Sequence, residues 1–166
     1  MDKIGCIFYT DNKPDPLILK TCQDQIKKGF SGELVSVSLR PIDFGKNIVL
    51  EGRVRSYPTM MLSILTALEA STAENVFFTE HDVLYHPSHF EFIPPKPDIY
   101  YYNCNNWRWA YPTDKVITYN YLTSLSQLCC NRQLAIEHFK KRVQVAKEQN
   151  LDEHRGREPR WARRWG

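Results

Sequence analysis

Apolar runs alternate with helically spaced segments in the first half of the chain, and this pattern predicts the order β-α-β-α-β. The three predicted strands are 4–10, 33–39 and 75–79, and the two predicted helices are 17–28 and about 58–70. Gly29 is predicted to cap the first helix at its carboxyl end, and Ser56 is predicted to cap the second at its amino end. Strands that alternate with helices favour a parallel sheet.

The second half of the chain predicts two more strands and one long helix. The strands are expected at 99–103 and 116–120, on either side of a polar loop rich in aromatic residues. The segment 131–149 has apolar residues at helical spacing, with Asn131 as its N-cap. Residues 44–55 follow neither the helical nor the strand period clearly. Together these elements predict a single-domain, Rossmann-like α/β fold with a mostly parallel sheet and helices on both faces.

The length of the chain, its apolar runs and its cysteines indicate what class of protein it is. The chain has 166 residues, which fits one domain with a substantial core. No apolar run approaches the roughly 20 residues that span a bilayer, and the first apolar stretch is too short for a secretory signal. Five cysteines without C-x-x-C spacing fit a reducing compartment better than a disulfide framework. We therefore expect a cytoplasmic protein with no membrane span.

The net charge of +3 is small, and the basicity is local. The segment 151–166 holds five Arg against three acidic residues, together with Trp161 and Trp165. Arg and Trp in one segment are a pattern that contacts phosphates and bases, so nucleic acid is one partner to consider. We expect this basic tail to follow a domain that covers 1–150.

Polar and charged residues stand at the ends of the three strands predicted in the first half. Ligands of open α/β sheets bind in the crevice beyond the carboxyl ends of the strands. The residues at these ends are Thr10-Asp11-Asn12, Arg40 and Glu80-His81-Asp82. They are therefore expected to lie along one rim.

Glu80 and Asp82 have the chemistry of a cation site. Side chains at i and i+2 of an extended segment point to the same face, so these two carboxylates are expected to project together. Hard oxygen ligands favour Mg²⁺ or Mn²⁺, ions that keep positions open for phosphate oxygens. The alternative is a polar turn that closes the strand, with Asp82 capping a local amide.

The first ninety residues resemble the nucleotide-sugar-binding half of GT-A fold glycosyltransferases. The resemblance is carried by "IGCIFYTDN", "ELVSVSL", "EGRVRSYPTMMLSILTALEAS" and "NVFFTEHDVLYHP", in this order, over about 4–90. It implies a donor half at 4–90 and an acceptor half at 91–150. It also implies that Glu80-His81-Asp82 is the D-x-D-type motif, in which Asp82 and Glu80 hold Mn²⁺ or Mg²⁺ on the donor diphosphate. The donor-binding residues that it implies are Tyr9, Thr10, Asp11, Arg40, Arg53, Arg55 and Glu80.

The resemblance also implies roles for later residues. A late histidine, His154, is expected to complete the metal shell. Asp152 or Glu153 is expected to be the general base of the transfer, with Asp114 as a rival. The acidic cluster that follows the second strand in the family is replaced here by "LRPIDF", where Arg40 or Asp43 stands in its place.

The resemblance favours a metal-dependent glycosyltransferase with a UDP- or GDP-sugar donor and catalytic Asp82. Flat aromatic side chains suggest where the acceptor binds, and Trp107, Arg108 and Trp109 are the candidates, with a nucleobase or DNA among the acceptors to test. A nucleotidyltransferase is the alternative enzyme, although "TDNKPDP" lacks the glycines of a phosphate loop. A non-catalytic nucleotide- or nucleic-acid-binding module is the third hypothesis.

Overall fold

A computed structural model describes residues 3–110, 113–118, 122–149 and 151. In this part of the chain eight strands form two sheets, and three α-helices pack on the larger one. The strands are β1 (Ile4–Thr10), β2 (Glu33–Ser38), β3 (Lys46–Val49), β4 (Asn75–Glu80), β5 (Tyr101–Tyr102), β6 (Trp107–Ala110), β7 (Lys115–Thr118) and β8 (Leu128–Asn131). The helices are α1 (Pro16–Gly29), α2 (Tyr57–Ala70) and α3 (Arg132–Glu148), and two short 3₁₀ segments span Pro87–Glu91 and Leu125–Gln127.

The main sheet has six strands in the order β3-β2-β1-β4-β8-β5. The first four strands are parallel, β8 is antiparallel to β4, and β5 is antiparallel to β8. Strand β5 therefore runs in the same direction as β4. The carboxyl ends of β1 to β5 and the amino end of β8 meet at one edge of the sheet, which we term the carboxyl edge. The predicted α/β class with a mostly parallel sheet is confirmed.

Helices cover both faces of this sheet, as predicted. One face packs against α2 and α3 through side chains such as Ile7 and Phe78, and the other packs against α1 and the first 3₁₀ segment through Phe8 and Phe77. Neighbouring residues of one strand point to opposite faces, which is why consecutive apolar positions are all buried.

The structure confirms two predicted caps and corrects the third. The Ser56 side chain accepts a hydrogen bond from the amide of Thr59 (3.2 Å), and that of Asn131 accepts one from the amide of Gln133 (3.0 Å). Gly29 is the last residue of α1 and not its cap, because the C-cap residue is Phe30. A Cβ on Gly29 would lie 3.0 Å from Cα of Pro87, so close packing of the 3₁₀ segment explains the glycine.

Several strand predictions needed correction in the second half of the chain. Strand β5 is shorter than the predicted strand 99–103. Strand β7 overlaps the predicted strand 116–120, and it pairs with β6, which lies in the segment that was expected to be a loop. Strand β8 was missed because its four residues lead directly into α3. Among the described residues no helix is both long and apolar enough to cross a membrane.

Candidate functional site at the carboxyl edge

The structure brings the predicted strand-end residues to one edge. Thr10 is level with Ser38 in the pairing of β1 with β2, and Tyr9 is level with Glu80 in the pairing of β1 with β4. The segments that follow these strands therefore leave the sheet side by side. This level arrangement is what the rule for parallel sheets predicts.

Glu80 is held in a shielded position by two tyrosines. The hydroxyl of Tyr9 donates a hydrogen bond to Oε1 of Glu80, and the amide of Glu80 donates to the hydroxyl of Tyr85 at 3.1 Å. The Tyr85 hydroxyl in turn donates to the carbonyl of Ser126 at 2.9 Å. Burial raises the pKa of the Glu80 carboxyl, the bond from Tyr9 acts against it, and the charge of Asp82 raises it further. Tyr85 was not identified from the sequence, because no local pattern links this residue to β4 or to the 3₁₀ segment that it contacts.

Asp82 lies in a different environment from Glu80. Strand β4 ends at Glu80, and residues 81–82 form a turn, so the expected extended geometry with both side chains on one face is wrong. Asp82 is exposed. Its negative charge nonetheless contributes to the raised pKa values of Glu80 and Tyr9. The tip of β4 therefore presents one exposed and one shielded carboxylate.

An ion pair joins the segment after β1 to the segment before α2. Nε of Arg55 lies 2.8 Å from Oδ2 of Asp11, and Oδ1 of Asp11 accepts the amide of Lys13 at 3.0 Å. The Asp11 side chain is 15% exposed, whereas that of Arg55 is 60% exposed. Arg55 can therefore reach both Asp11 and a ligand at the surface. Arg53 lies in the same exposed loop, 51–55, in which Gly52 adopts a positive φ of 71°.

Asn12 connects the segments after β1 and β2. Its Oδ1 accepts the amides of Leu39 (2.8 Å) and Arg40 (2.9 Å), and its Nδ2 donates to the carbonyl of Arg40 (3.1 Å). The guanidinium of Arg40 donates back to the carbonyl of Asn12 at 2.9 Å. Asn12 has a φ of 58°, a conformation that asparagine adopts more readily than most residues. Arg40, predicted to bind the donor, thus also fixes the loop that carries Asp11.

The carboxylate pair fits a cation that arrives with a phosphate ligand. Among the residues that the structure describes, no three His, Cys, Asp or Glu side chains converge on one point. Mg²⁺ is commonly held by one or two carboxylates, with substrate phosphates and water as its other ligands. Asp82 is exposed enough to be such a ligand, whereas Glu80 is only partly exposed. The described residues fit this shared coordination and do not fit a closed protein cage.

The predicted acceptor side begins at the end of β5. Neighbouring strands lie about 4.8 Å apart, so β5, two strands from β4, ends about 10 Å from the tip of β4. Nδ2 of Asn103 donates to Nδ1 of His89 at 3.2 Å, which links the segment after β5 to the 3₁₀ segment that follows Asp82. Asn103 was not identified from the sequence.

The β6-β7 hairpin follows this segment and carries the aromatic candidates. Trp107 and Trp109 lie on one face of the hairpin, whereas Arg108 lies on the other, so the three residues do not form one surface. Asp114 is exposed in the turn between the strands, with a φ of 52°. Because β6 has four residues, Asp114 lies about 13 Å from the end of the hairpin that joins the sheet edge. The predicted Asp152, Glu153 and His154 lie outside the described residues, as does most of the basic tail.

Comparisons with known proteins bear on the fold. No family model matches the chain, and no curated protein matches it in sequence. Among solved structures, the bifunctional IspDF from Campylobacter jejuni is similar, with a TM-score of 0.53 and 10% sequence identity. The match covers 84% of this chain and 44% of that protein, so the chain spans less than half of its length. This likeness shows the fold alone, a Rossmann-like α/β fold with a mostly parallel sheet.

Proposed function

We propose that the chain is a metal-dependent glycosyltransferase that binds a nucleotide-diphospho-sugar, such as a UDP- or GDP-sugar, along the carboxyl edge. The observation that carries this proposal is the tip of β4, where exposed Asp82 stands beside shielded Glu80. The same edge presents Asp11 and Arg55. Carboxylates beside an arginine at strand ends suit a ligand that combines hydroxyl groups with a diphosphate.

The proposed donor lies across the ends of β1, β2 and β4. Tyr9, Thr10 and Asp11 border the nucleoside, and Arg40 keeps their loop in place through Asn12. Arg53 and Arg55 face the diphosphate. Guanidinium groups bind phosphate oxygens in pairs, so a diphosphate can replace Asp11 as the partner of Arg55.

Asp82 is the proposed direct ligand of Mn²⁺ or Mg²⁺, and Glu80 is the second carboxylate proposed for the metal site. His154 is the proposed further ligand. The bound ion would neutralise charge on the departing diphosphate. The cation raises no conflict with Glu80, since a nearby positive charge favours the ionised carboxylate that burial disfavours.

In the proposed reaction an acceptor hydroxyl attacks the anomeric carbon of the donor sugar. The bond between that carbon and the diphosphate oxygen breaks, and the nucleoside diphosphate leaves with the electron pair. The proton of the acceptor hydroxyl passes to a carboxylate, for which Asp152, Glu153 and Asp114 remain the candidates. The five free cysteines suit the reducing cytoplasm, where we place the reaction.

Nucleotidyl transfer is the second candidate, and the fold shared with IspDF favours it. In that reaction a phosphate oxygen of the acceptor attacks the α-phosphorus of a nucleoside triphosphate, and pyrophosphate leaves. The loop after β1 contains no glycine, so it lacks the backbone that commonly wraps a triphosphate. Because this loop has no glycine, we rank nucleotidyl transfer second.

Thermal shift with UDP-glucose and GDP-mannose, with and without Mn²⁺, tests the proposal. Ligand at 100 times its Kd stabilises by about 2.7 kcal/mol, which raises the Tm of a domain of this size by about 5–10 °C. We expect this rise only with Mn²⁺, and we expect Asp82→Asn to abolish it. Asp98→Asn is the matched control, because Asp98 is an exposed carboxylate before β5, on the opposite edge of the sheet.

The products separate the candidate functions. Phosphorus NMR after incubation with a nucleotide sugar should show a nucleoside diphosphate, released by slow transfer of the sugar to water. Pyrophosphate release from a nucleoside triphosphate would instead establish nucleotidyl transfer. Nucleotide binding that survives Asp82→Asn without any turnover would establish a non-catalytic module. No Mn²⁺-dependent rise with either sugar would overturn the glycosyltransferase proposal.

A further inference from the structure

The described residues of the β6-β7 hairpin expose their apolar side chains and do not cover a core. All eight described residues of β6 and β7 are exposed, and Trp107 and Trp109 are each 59% exposed. A two-stranded hairpin is marginally stable by itself in water. The two indole rings therefore contribute little burial to the folded chain, and more than half of the surface of each tryptophan faces solvent.

Polar contacts hold the hairpin at the sheet edge. The hydroxyl of Thr118 donates to the carbonyl of Asn106 (2.8 Å), and Nδ2 of Asn106 donates to the hydroxyl of Ser124 (3.0 Å). The indole nitrogen of Trp107 donates to Oδ1 of Asn105 at 2.8 Å. The hairpin is thus anchored next to the amino end of β8, on the edge where the donor site is proposed.

The pairing register divides the hairpin into two faces of different character. Trp107 pairs with Thr118 and Trp109 with Val116, so these four residues share one face, which we term the tryptophan face. The opposite face carries Arg108, Ala110, Lys115 and Ile117. Among the described hairpin residues both cations lie on the face opposite the tryptophans.

We infer that the tryptophan face binds an uncharged glycan, and that this glycan is the acceptor. Indole rings stack on the apolar C–H face of a pyranose, and exposed Asn105 beside them offers a donor and an acceptor for its hydroxyls. A nucleic-acid strand needs cations on the side that holds its bases, since its backbone must be neutralised as the bases stack. Here the cations point away from the rings. The acceptor role rests on the proposed function, whereas glycan binding does not.

An array of neutral, sialylated and sulfated oligosaccharides, followed by calorimetry with the best neutral one, tests this inference. We expect binding to neutral glycans without donor or metal, and at least tenfold weaker binding in Trp109→Ala. Ile117→Ala removes an apolar side chain from the opposite face of the same hairpin, and Arg108→Ala removes the cation there. Both variants should bind within twofold of the unmodified chain.

The other outcomes overturn the inference. Binding of a ten-nucleotide thymidine strand that is lost in Arg108→Ala would make the hairpin a nucleic-acid site. Self-association in sedimentation that Trp109→Ala abolishes would make the tryptophan face a contact between copies of the chain. Binding only to charged glycans, or to none, would also reject it. Because the nucleotide-sugar assay is separate, failure of glycan binding is distinguishable from failure of the donor site.

Discussion

His89 should make the stability of the fold depend strongly on pH. The side chain is 7% exposed, with its ring centroid 5.2 Å from that of Phe77 and 4.9 Å from that of Tyr85. Oδ1 of Asn103 accepts the amide of Asn105 (3.0 Å), which turns Nδ2 of Asn103 towards Nδ1 of His89. Nδ1 is therefore the acceptor, and the neutral ring carries its proton on Nε2. Protonation would place two donors against each other at this contact.

The size of the stability loss at low pH follows from the pKa of His89. Burial lowers this pKa from 6.5 to about 4. Between these values the unfolded chain binds a proton that the folded chain does not. The contribution of neutral His89 to the free energy of unfolding is therefore fully present above pH 6.5 and declines as the pH falls. Linkage gives a loss of about 1.8 kcal/mol between pH 7 and pH 5, and about 2.8 kcal/mol by pH 4.

Urea unfolding at pH 7, 6, 5 and 4 measures this loss as the difference between the unmodified chain and His89→Phe. Phenylalanine keeps the ring contacts but does not titrate, so the variant should lack the His89 contribution and the difference should change by about 2–3 kcal/mol from pH 7 to pH 4. Asn103→Asp places a carboxylate at Nδ1, which raises the pKa of His89 and should shrink the loss. Parallel pH profiles for all three chains would refute the reasoning.

Three further substitutions test contacts in the sheet and in the loops that it carries. Tyr9→Phe removes the hydroxyl that donates to Glu80, which should destabilise the fold by about 1–3 kcal/mol at pH 7. Burial raises the pKa of the Glu80 carboxyl, so the cost should shrink as the pH falls and the carboxyl takes up a proton; urea unfolding over a series of pH values checks this. Asn12→Gly keeps the positive φ but removes three hydrogen bonds between loops, so the Tm should fall and nucleotide-sugar affinity in calorimetry should fall about tenfold or more. Gly45→Ala adds a Cβ at a φ of 63° and 2.5 Å from the carbonyl oxygen of Leu34, and should lower the free energy of unfolding by about 2 kcal/mol or more.

The fold was largely predictable because its buried strands are continuous apolar runs. Residues 4–10 and 75–79 were identified almost to the residue, since short apolar runs rich in β-branched and aromatic residues are typical of strands covered on both faces. Strand β8 could not be recognised, because four residues that continue into a helix carry no period of their own. Strand β6 was missed for a related reason, since its exposed residues lack the alternation that a core imposes, whereas β7 overlaps the predicted strand 116–120.

The site was predictable in its place but not in its geometry. The order of strands and helices placed residues 10–12, 40 and 80–82 on one edge, as the structure has them. The turn at 81–82 separates the environments of Glu80 and Asp82, and no local pattern predicts where a strand stops pairing. The bonds of Glu80 to Tyr9 and Tyr85 join residues from different elements, so only the fold reveals them.

A crystal structure of the chain with Mn²⁺ and a nucleoside diphosphate tests the central claim most directly. We predict an anomalous manganese peak about 2.1 Å from a carboxylate oxygen of Asp82, bridged to the diphosphate, with Arg55 turned from Asp11 to a phosphate oxygen. A diphosphate bound elsewhere, or bound at the carboxyl edge with Asp82 bonded to a local amide and no manganese beside it, would contradict the account.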